Sequence, residues 1–164
     1  MAIRKAQGQS RSRCTGHIRW LIRRDMPEVL EIERESFAQP WDDDDYVRCL
    51  RQPNVIGKVL EEDEEVVGYM LYELHKTSLR ILRLAVDPWH RRRAVARQLI
   101  ESLIHKLAPA RRTVLAINVR ESNLVAQLFL RRLGFTAVAI DQRFYSDTDE
   151  DAYCFEFWCA ETEP

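Results

Sequence analysis

The sequence predicts one mixed α/β domain with elements in the order β-α-α-β-β-β-α-β-α-β-β. Three observations lead there. Strand-like and helix-like hydrophobic patterns alternate from residue 17 onward. No Gly/Ser linker, low-complexity tract or internal repeat interrupts them. The 164 residues, 46% hydrophobic and 31% charged, suffice for one sizeable core but not for a second full domain.

Taken in order, "HIRWLI" from His17 reads as a first strand. "DMPEVLEIERESF" reads as a helix, with Asp25 as N-cap, Pro27 in the first turn and Glu28 at the capping-box position. "WDDDDYVRCL" is a short second helix whose aspartates suit a helix N-terminus. "NVIGKVLE" and "EVVGYMLYELH" are strand patterns around the acidic stretch 61–65, most simply a solvated hairpin tip. "LRILRLAVDP" is more continuously apolar, as a central strand should be, and Pro88 ends it. Val95, Leu99, Leu103, Ile104 and Leu107 then fall at helical spacing, which predicts an amphipathic helix of about four turns. "TVLAINV" is a strand, and "NLVAQLFLRRLGF" is a helix closed by Gly134 at C′. Two last strands surround "SDTDED".

Net charge is -1, so bulk charge does not point to a nucleic-acid binder. The charge is unevenly placed. No acidic residue precedes Asp25, whereas Arg4, Lys5, Arg11, Arg13, Arg19, Arg23 and Arg24 do. Residues 1–16 read as a disordered basic tail, 17–160 as the domain and 161–164 as a C-terminal tail. The basic start also fits a contact to an acidic partner or a transit-like segment. The tail reading is favoured because the apolar region of a secretory signal is missing and Gly8, Ser10, Ser12 and Gly16 break any helix. No apolar run approaches the ~18 residues of a membrane span, so a soluble protein is expected. Cys14, Cys49, Cys154 and Cys159 form no CxxC pair or metal spacing, which favours reduced thiols and the cytoplasm.

At "LAVDPWHRRRAVARQL" a buried strand turns into an amphipathic helix. The first N–H groups of such a helix lack internal partners and can hold a pyrophosphate. Alone, a basic helix start without glycine reads as solvated surface. Its company changes that reading: "SFAQPW" at 36–41, "VRESNLVAQ" at 119–127, "LGF" at 133–135 and "RFYSDTDEDAY" at 143–153 accompany it in order. On these motifs, roughly residues 18 to 158 resemble the GCN5-related N-acetyltransferases, especially the ribosomal-protein alanine and other N-terminal amine acetyltransferases.

The resemblance implies a mostly antiparallel sheet flanked by helices and acetyl-CoA as cosubstrate. Leu84, Ala85 and Val86 would offer strand backbone to the pantetheine and thioester. Arg91, Arg92, Arg93, Ala94, Val95, Ala96 and Arg97 would form the phosphate cradle, and Asn123 would touch the coenzyme. Phe37, Trp41 and Tyr145 would border the acceptor, with the aspartates at 42–45 attracting a basic peptide or simply capping their helix. The implied acceptor is a protein N-terminus, such as that of basic ribosomal protein S18. No membrane or nucleic-acid partner is expected.

Three positions depart from the family pattern. Ala94 stands where the cradle has glycine, Asn118 where it has the general-base glutamate, and Leu130 where a tyrosine protonates the thiolate. Neither Asn118 nor Leu130 can exchange a proton at neutral pH. An N-terminal amine tolerates this best: neutralising it at pH 7 costs about 1 kcal/mol, against roughly 4.6 kcal/mol for a lysine. Tyr145 is a candidate acid, and Glu73 and His75, two apart on one strand, are candidate proton acceptors. The alternatives are a small-molecule amine acetyltransferase and an acyl-CoA-binding regulatory module with weak or no catalysis.

Overall fold

A computed structural model of the chain describes residues 12–160. Its elements are β1 (His17–Trp20), α1 (Met26–Ser36), α2 (Asp43–Leu50), β2 (Val55–Glu62), β3 (Glu65–Leu74) and β4 (Ser78–Val86). These are followed by α3 (Val95–Ile104), β5 (Val114–Arg120), α4 (Leu124–Arg132), β6 (Thr136–Tyr145) and β7 (Glu150–Trp158). The order is the one read from the sequence.

The strands form one seven-stranded sheet in the order β1-β2-β3-β4-β5-β7-β6. Every neighbouring pair is antiparallel except β4 and β5. That parallel pairing runs only from Ser78 opposite Val114 to Ile81 opposite Ile117. Beyond it the strands part, because β4 carries an irregularity where its register against β3 slips between Leu71 and Tyr72. Residues 82–86 and 118–120 therefore lie beyond the last pair on that side, leaving an opening in the middle of the sheet.

Two apolar layers hold the sheet. Leu99, Ile100 and Leu103 of α3 and Leu130 of α4 pack on Met70, Leu115 and Phe155. On the other face Val29 and Ile32 of α1 and Tyr46 of α2 pack on Val59, Tyr69 and Leu71. Each such side chain contributes about 1.5–3 kcal/mol on burial. The edge strand β6 remains exposed along nearly all its length.

Local chemistry differs from the sequence reading in four places. Asp25 stands at the N-cap position of α1, but its side chain makes no capping bond to the helix. It closes a 3-10 turn, Arg23–Asp25, and its carboxylate turns inward to the Arg19 guanidinium at 2.7 and 2.8 Å and to the Ile22 N–H. Glu28 instead accepts from Val66 N at 2.8 Å, tying α1 to β3. The hairpin tip is not merely solvated: Glu61 bonds Arg19, and Glu62 accepts from Thr15 N and Arg93. Helix α3 stops at Ile104, short of four turns, and Pro109 keeps the following chain from continuing helically. Asp42 does cap α2, with Asp45 returning the bond, and Gly134 takes φ +94° after α4.

The residues of the expected tail that are described, 12–16, lie against the fold. Cys14 is buried, its N–H donates to Arg93 O at 2.9 Å, and its carbonyl accepts from Gln98. Residues 1–11 and 161–164, the rest of the two expected tails, lie outside the described residues.

Candidate active site

The opening between β4 and β5 has a basic cleft at one end and a polar sheet face at the other. Strand β4 leads through a 3-10 turn, Pro88–His90, that is fixed by an Asp87 to His90 contact of 2.5 Å. The chain then passes two left-handed residues, Arg92 and Ala94, each at φ 61°, before α3 begins. Ala94 is the N-cap, so the abrupt start leaves the first N–H groups of α3 without helical acceptors. Gly68 of β3 lets α3 sit close, since a Cβ there would lie 2.6 Å from Val95 Cγ1.

Arg13, Arg92, Arg93, Ala94, Arg97 and Glu101 line a cleft of about 510 Å³ at this helix start. The arginines have different employment. Arg93 is bound to Glu62 at 2.8 Å and to Ser12 O, and Arg97 pairs with Glu101 at 2.7 Å. Arg91 points away, towards Val86 O and Ser36 of α1. Val95 is buried in the core and can offer only its backbone, and Ala96 is half-buried beside it. Arg13 and Arg92 are exposed and have no acidic partner among the described residues. Two guanidinium groups with no acidic partner among the described residues, beside the first N–H groups of α3, suit a pyrophosphate. Sequence reasoning missed Arg13 by assigning it to the tail; the apolar Cys14 inside the basic run was the available signal.

In the opening itself, Leu84, Ala85 and Val86 pair with β3 on one side only. Their alternate backbone groups face the gap left by β5. Asn123 starts α4 across that gap, where its side-chain oxygen caps Ala126 N at 3.1 Å. Leu130 is buried in the core and packs as an aliphatic residue.

The acceptor side is polar. Asn118 accepts from Arg80 at 3.2 Å and donates to Asp141 at 3.1 Å. Arg120 lies 3.9 Å from the Tyr145 ring centre and is held by Asp147 and Glu150. Burial pushes the Tyr145 phenol up, although Arg120 opposes it, so the hydroxyl keeps its proton. Arg83 stacks 3.9 Å from the centre of Phe37 and 4.7 Å from that of Trp41, and donates to Gln39 O. Beneath them the fully buried Glu33 accepts from Arg83, Trp41 N, Tyr46 and Tyr69. Phe37 and Trp41 therefore stand over the site as a loop pinned by Glu33 and Arg83. Glu73 and His75 do not join them. Glu73 pairs in register with Arg80, at the far end of β3 from Ala85, and bonds His75.

Comparison with known proteins agrees with this fold. The model of the acetyltransferase (GNAT) family matches residues 19–135. The chain belongs to that family. Among this acetyltransferase's relatives is a Bacillus subtilis protein named as a candidate ribosomal protein bS18-alanine N-acetyltransferase. It is 32% identical over 78% of this chain and 85% of its own. The ribosomal protein bS18-alanine N-acetyltransferase of Escherichia coli K12 is 27% identical over 78% of this chain and 87% of its own. The crystal structure of the E. coli ribosomal-protein-S18-alanine N-acetyltransferase superimposes with a TM-score of 0.78. It shares 24% identity and covers 92% of this chain and 99% of that one. Among the described residues no helix is long and apolar enough to cross a membrane.

Proposed function

We propose that this acetyltransferase transfers acetyl from acetyl-CoA to the N-terminal α-amine of a protein, and that its acceptor is the N-terminal alanine of ribosomal protein S18. The carrying observation is the opening between β4 and β5, with an arginine-lined cleft on one flank and a polar face on the other. Arg13, Arg92 and the N–H groups that start α3 hold the phosphates. The free backbone of 84–86 aligns the pantetheine and stabilises the oxyanion. Asn123 borders the coenzyme from the start of α4. Phe37, Trp41 and Tyr145 wall the entrance, and the exposed Asp43 and Asp44 draw in a basic N-terminus.

The acceptor reading rests on the pKa difference between amines together with the names of the relatives. Tyr145 retains its proton and can supply it to the departing thiolate. With a ribosomal acceptor and free thiols, the expected compartment is the cytoplasm.

The experiment titrates acetyl-CoA and then follows CoA release with a basic peptide bearing a free N-terminal alanine, beside the same peptide blocked. Saturable binding with turnover of the free peptide alone is the expected result. Binding without turnover of any amine would instead favour an acyl-CoA-binding module, the reading that Leu130 and Asn118 invite.

A further inference from the structure

We infer that Asp141 is the proton acceptor of this active site, taking the role for which Asn118 has no chemistry; this rests on the amine-acetylating function proposed above. On β5, β7 and β6, Asn118 lies opposite Cys154, Arg120 and Asp141 both lie opposite Ala152, and Ala139 lies opposite Cys154. Directly opposed residues share a face, so Asn118, Arg120 and Asp141 project from one side of the sheet. Their strands are two spacings apart, roughly 9–10 Å, which short side chains bridge only if the strand between is low. Ala152 and Cys154 supply that low ground. Over them Asn118 Nδ2 meets Asp141 Oδ2 at 3.1 Å.

The amide is oriented by its partners. Arg80 can only donate, so it takes Asn118 Oδ1, and the NH2 is left to face a carboxylate. Asn118 thereby holds Asp141 beside the position where the family carries its base. Oδ1 of Asp141 has no partner among the described residues, and the side chain is exposed to an arriving amine or an intervening water. Among the described residues, the charged or titratable groups around the pair include Arg80 on β4 with Glu73 of β3 opposite it, Arg120 on β5, and Cys154 and Glu156 on β7.

In the step, the neutral amine nitrogen attacks the thioester carbonyl carbon and the C–N bond forms. The nitrogen gives its surplus proton to the Asp141 carboxylate, directly or through one water. The C–S bond breaks with its electron pair on sulfur, and the thiolate takes the Tyr145 hydroxyl proton, which solvent then replaces, so that amine and acetyl-CoA become amide and CoA thiol. Asp141 then returns its proton to solvent.

The test compares Asp141→Asn, Asp141→Glu and the relocated pair Asn118→Glu/Asp141→Asn with the parent. It measures kcat on the free-alanine peptide and the dissociation constant of acetyl-CoA by calorimetry. Asp141→Asn should lose about 10²-fold or more in kcat while its acetyl-CoA affinity stays within about twofold. Asp141→Glu should stay within about tenfold of the parent, and the relocated pair should regain at least about tenfold over Asp141→Asn. Turnover by Asp141→Asn near that of the parent overturns this inference alone. So does a loss that neither Glu-bearing variant recovers, or one matched by lost coenzyme affinity. A parent that turns over no free N-terminal amine overturns the proposed function and this inference together.

Discussion

Ala94 bears a conformation that an alanine rarely takes. At φ 61° its methyl crowds the backbone, at a cost of about 1–2 kcal/mol relative to a right-handed residue. Glycine would relieve this but regain freedom in the unfolded chain worth about 0.4–1 kcal/mol. Ala94→Gly should therefore stabilise the protein by about 0.5–1 kcal/mol, measured by urea unfolding, with acetyl-CoA affinity kept or improved. Arg13 is the counterpart on the charge side. Arg13→Ala should weaken acetyl-CoA binding about three- to tenfold, with a shallower salt dependence, because an exposed guanidinium lining the cleft is removed. At this scale the sequence was only partly legible. Asn118 and Leu130 were visible as departures, since each is one residue compared with one motif position. Asp141 and Arg13 were not, because their roles depend on contacts across strands and along a strap that no local spacing encodes.

At the scale of elements, α3 and the loop 37–42 set the two walls of the site. Gly68→Ala should push α3 off β3, costing about 1–3 kcal/mol by overpacking against Val95 and weakening acetyl-CoA binding. The double variant Gly68→Ala/Val95→Ala should recover much of the binding, which a calorimetric titration would show. Glu33→Ala would leave the mostly buried Arg83 without its carboxylate, at about 3–5 kcal/mol, and free the Phe37–Trp41 loop. Acceptor KM should rise more than acetyl-CoA affinity falls. All the strands and helices were readable in order, because each carries its own hydrophobic period. The capping chemistry of α1 was not: Asp25 stands at the N-cap position, but Arg19 on β1 claims its carboxylate. The solvated reading of 61–65 held for Asp63, Glu64 and Glu65 but not for Glu61 and Glu62, which hold chain that is distant in sequence.

For the molecule as a whole, ion pairs close the N-terminal edge and make its stability acid-sensitive. Burial pushes the Asp25 carboxyl up, and the Arg19 guanidinium with Ile22 N–H outweighs it, leaving Asp25 below the usual carboxylate range. Glu62 is likewise held low, its burial outweighed by Thr15 N–H and Arg93. A carboxyl whose pKa is lower folded than unfolded contributes stability above its unfolded value, about 4. That contribution is lost as pH falls through the folded value. Thermal midpoints should thus owe no change to these groups above about pH 5 and decline below about pH 4, with less decline in Arg19→Ala. The chain's resemblance to N-terminal acetyltransferases was legible over most of its length, whereas the sheet's central opening came only from the register of β4 against its two neighbours. The most direct test of acetyl transfer to an α-amine uses a peptide with a free N-terminal alanine and one internal lysine. The product is located by fragmentation mass spectrometry after incubation with acetyl-CoA. Acetyl on the N-terminal nitrogen alone is the predicted result; acetyl on the lysine, or none on either nitrogen, would contradict it.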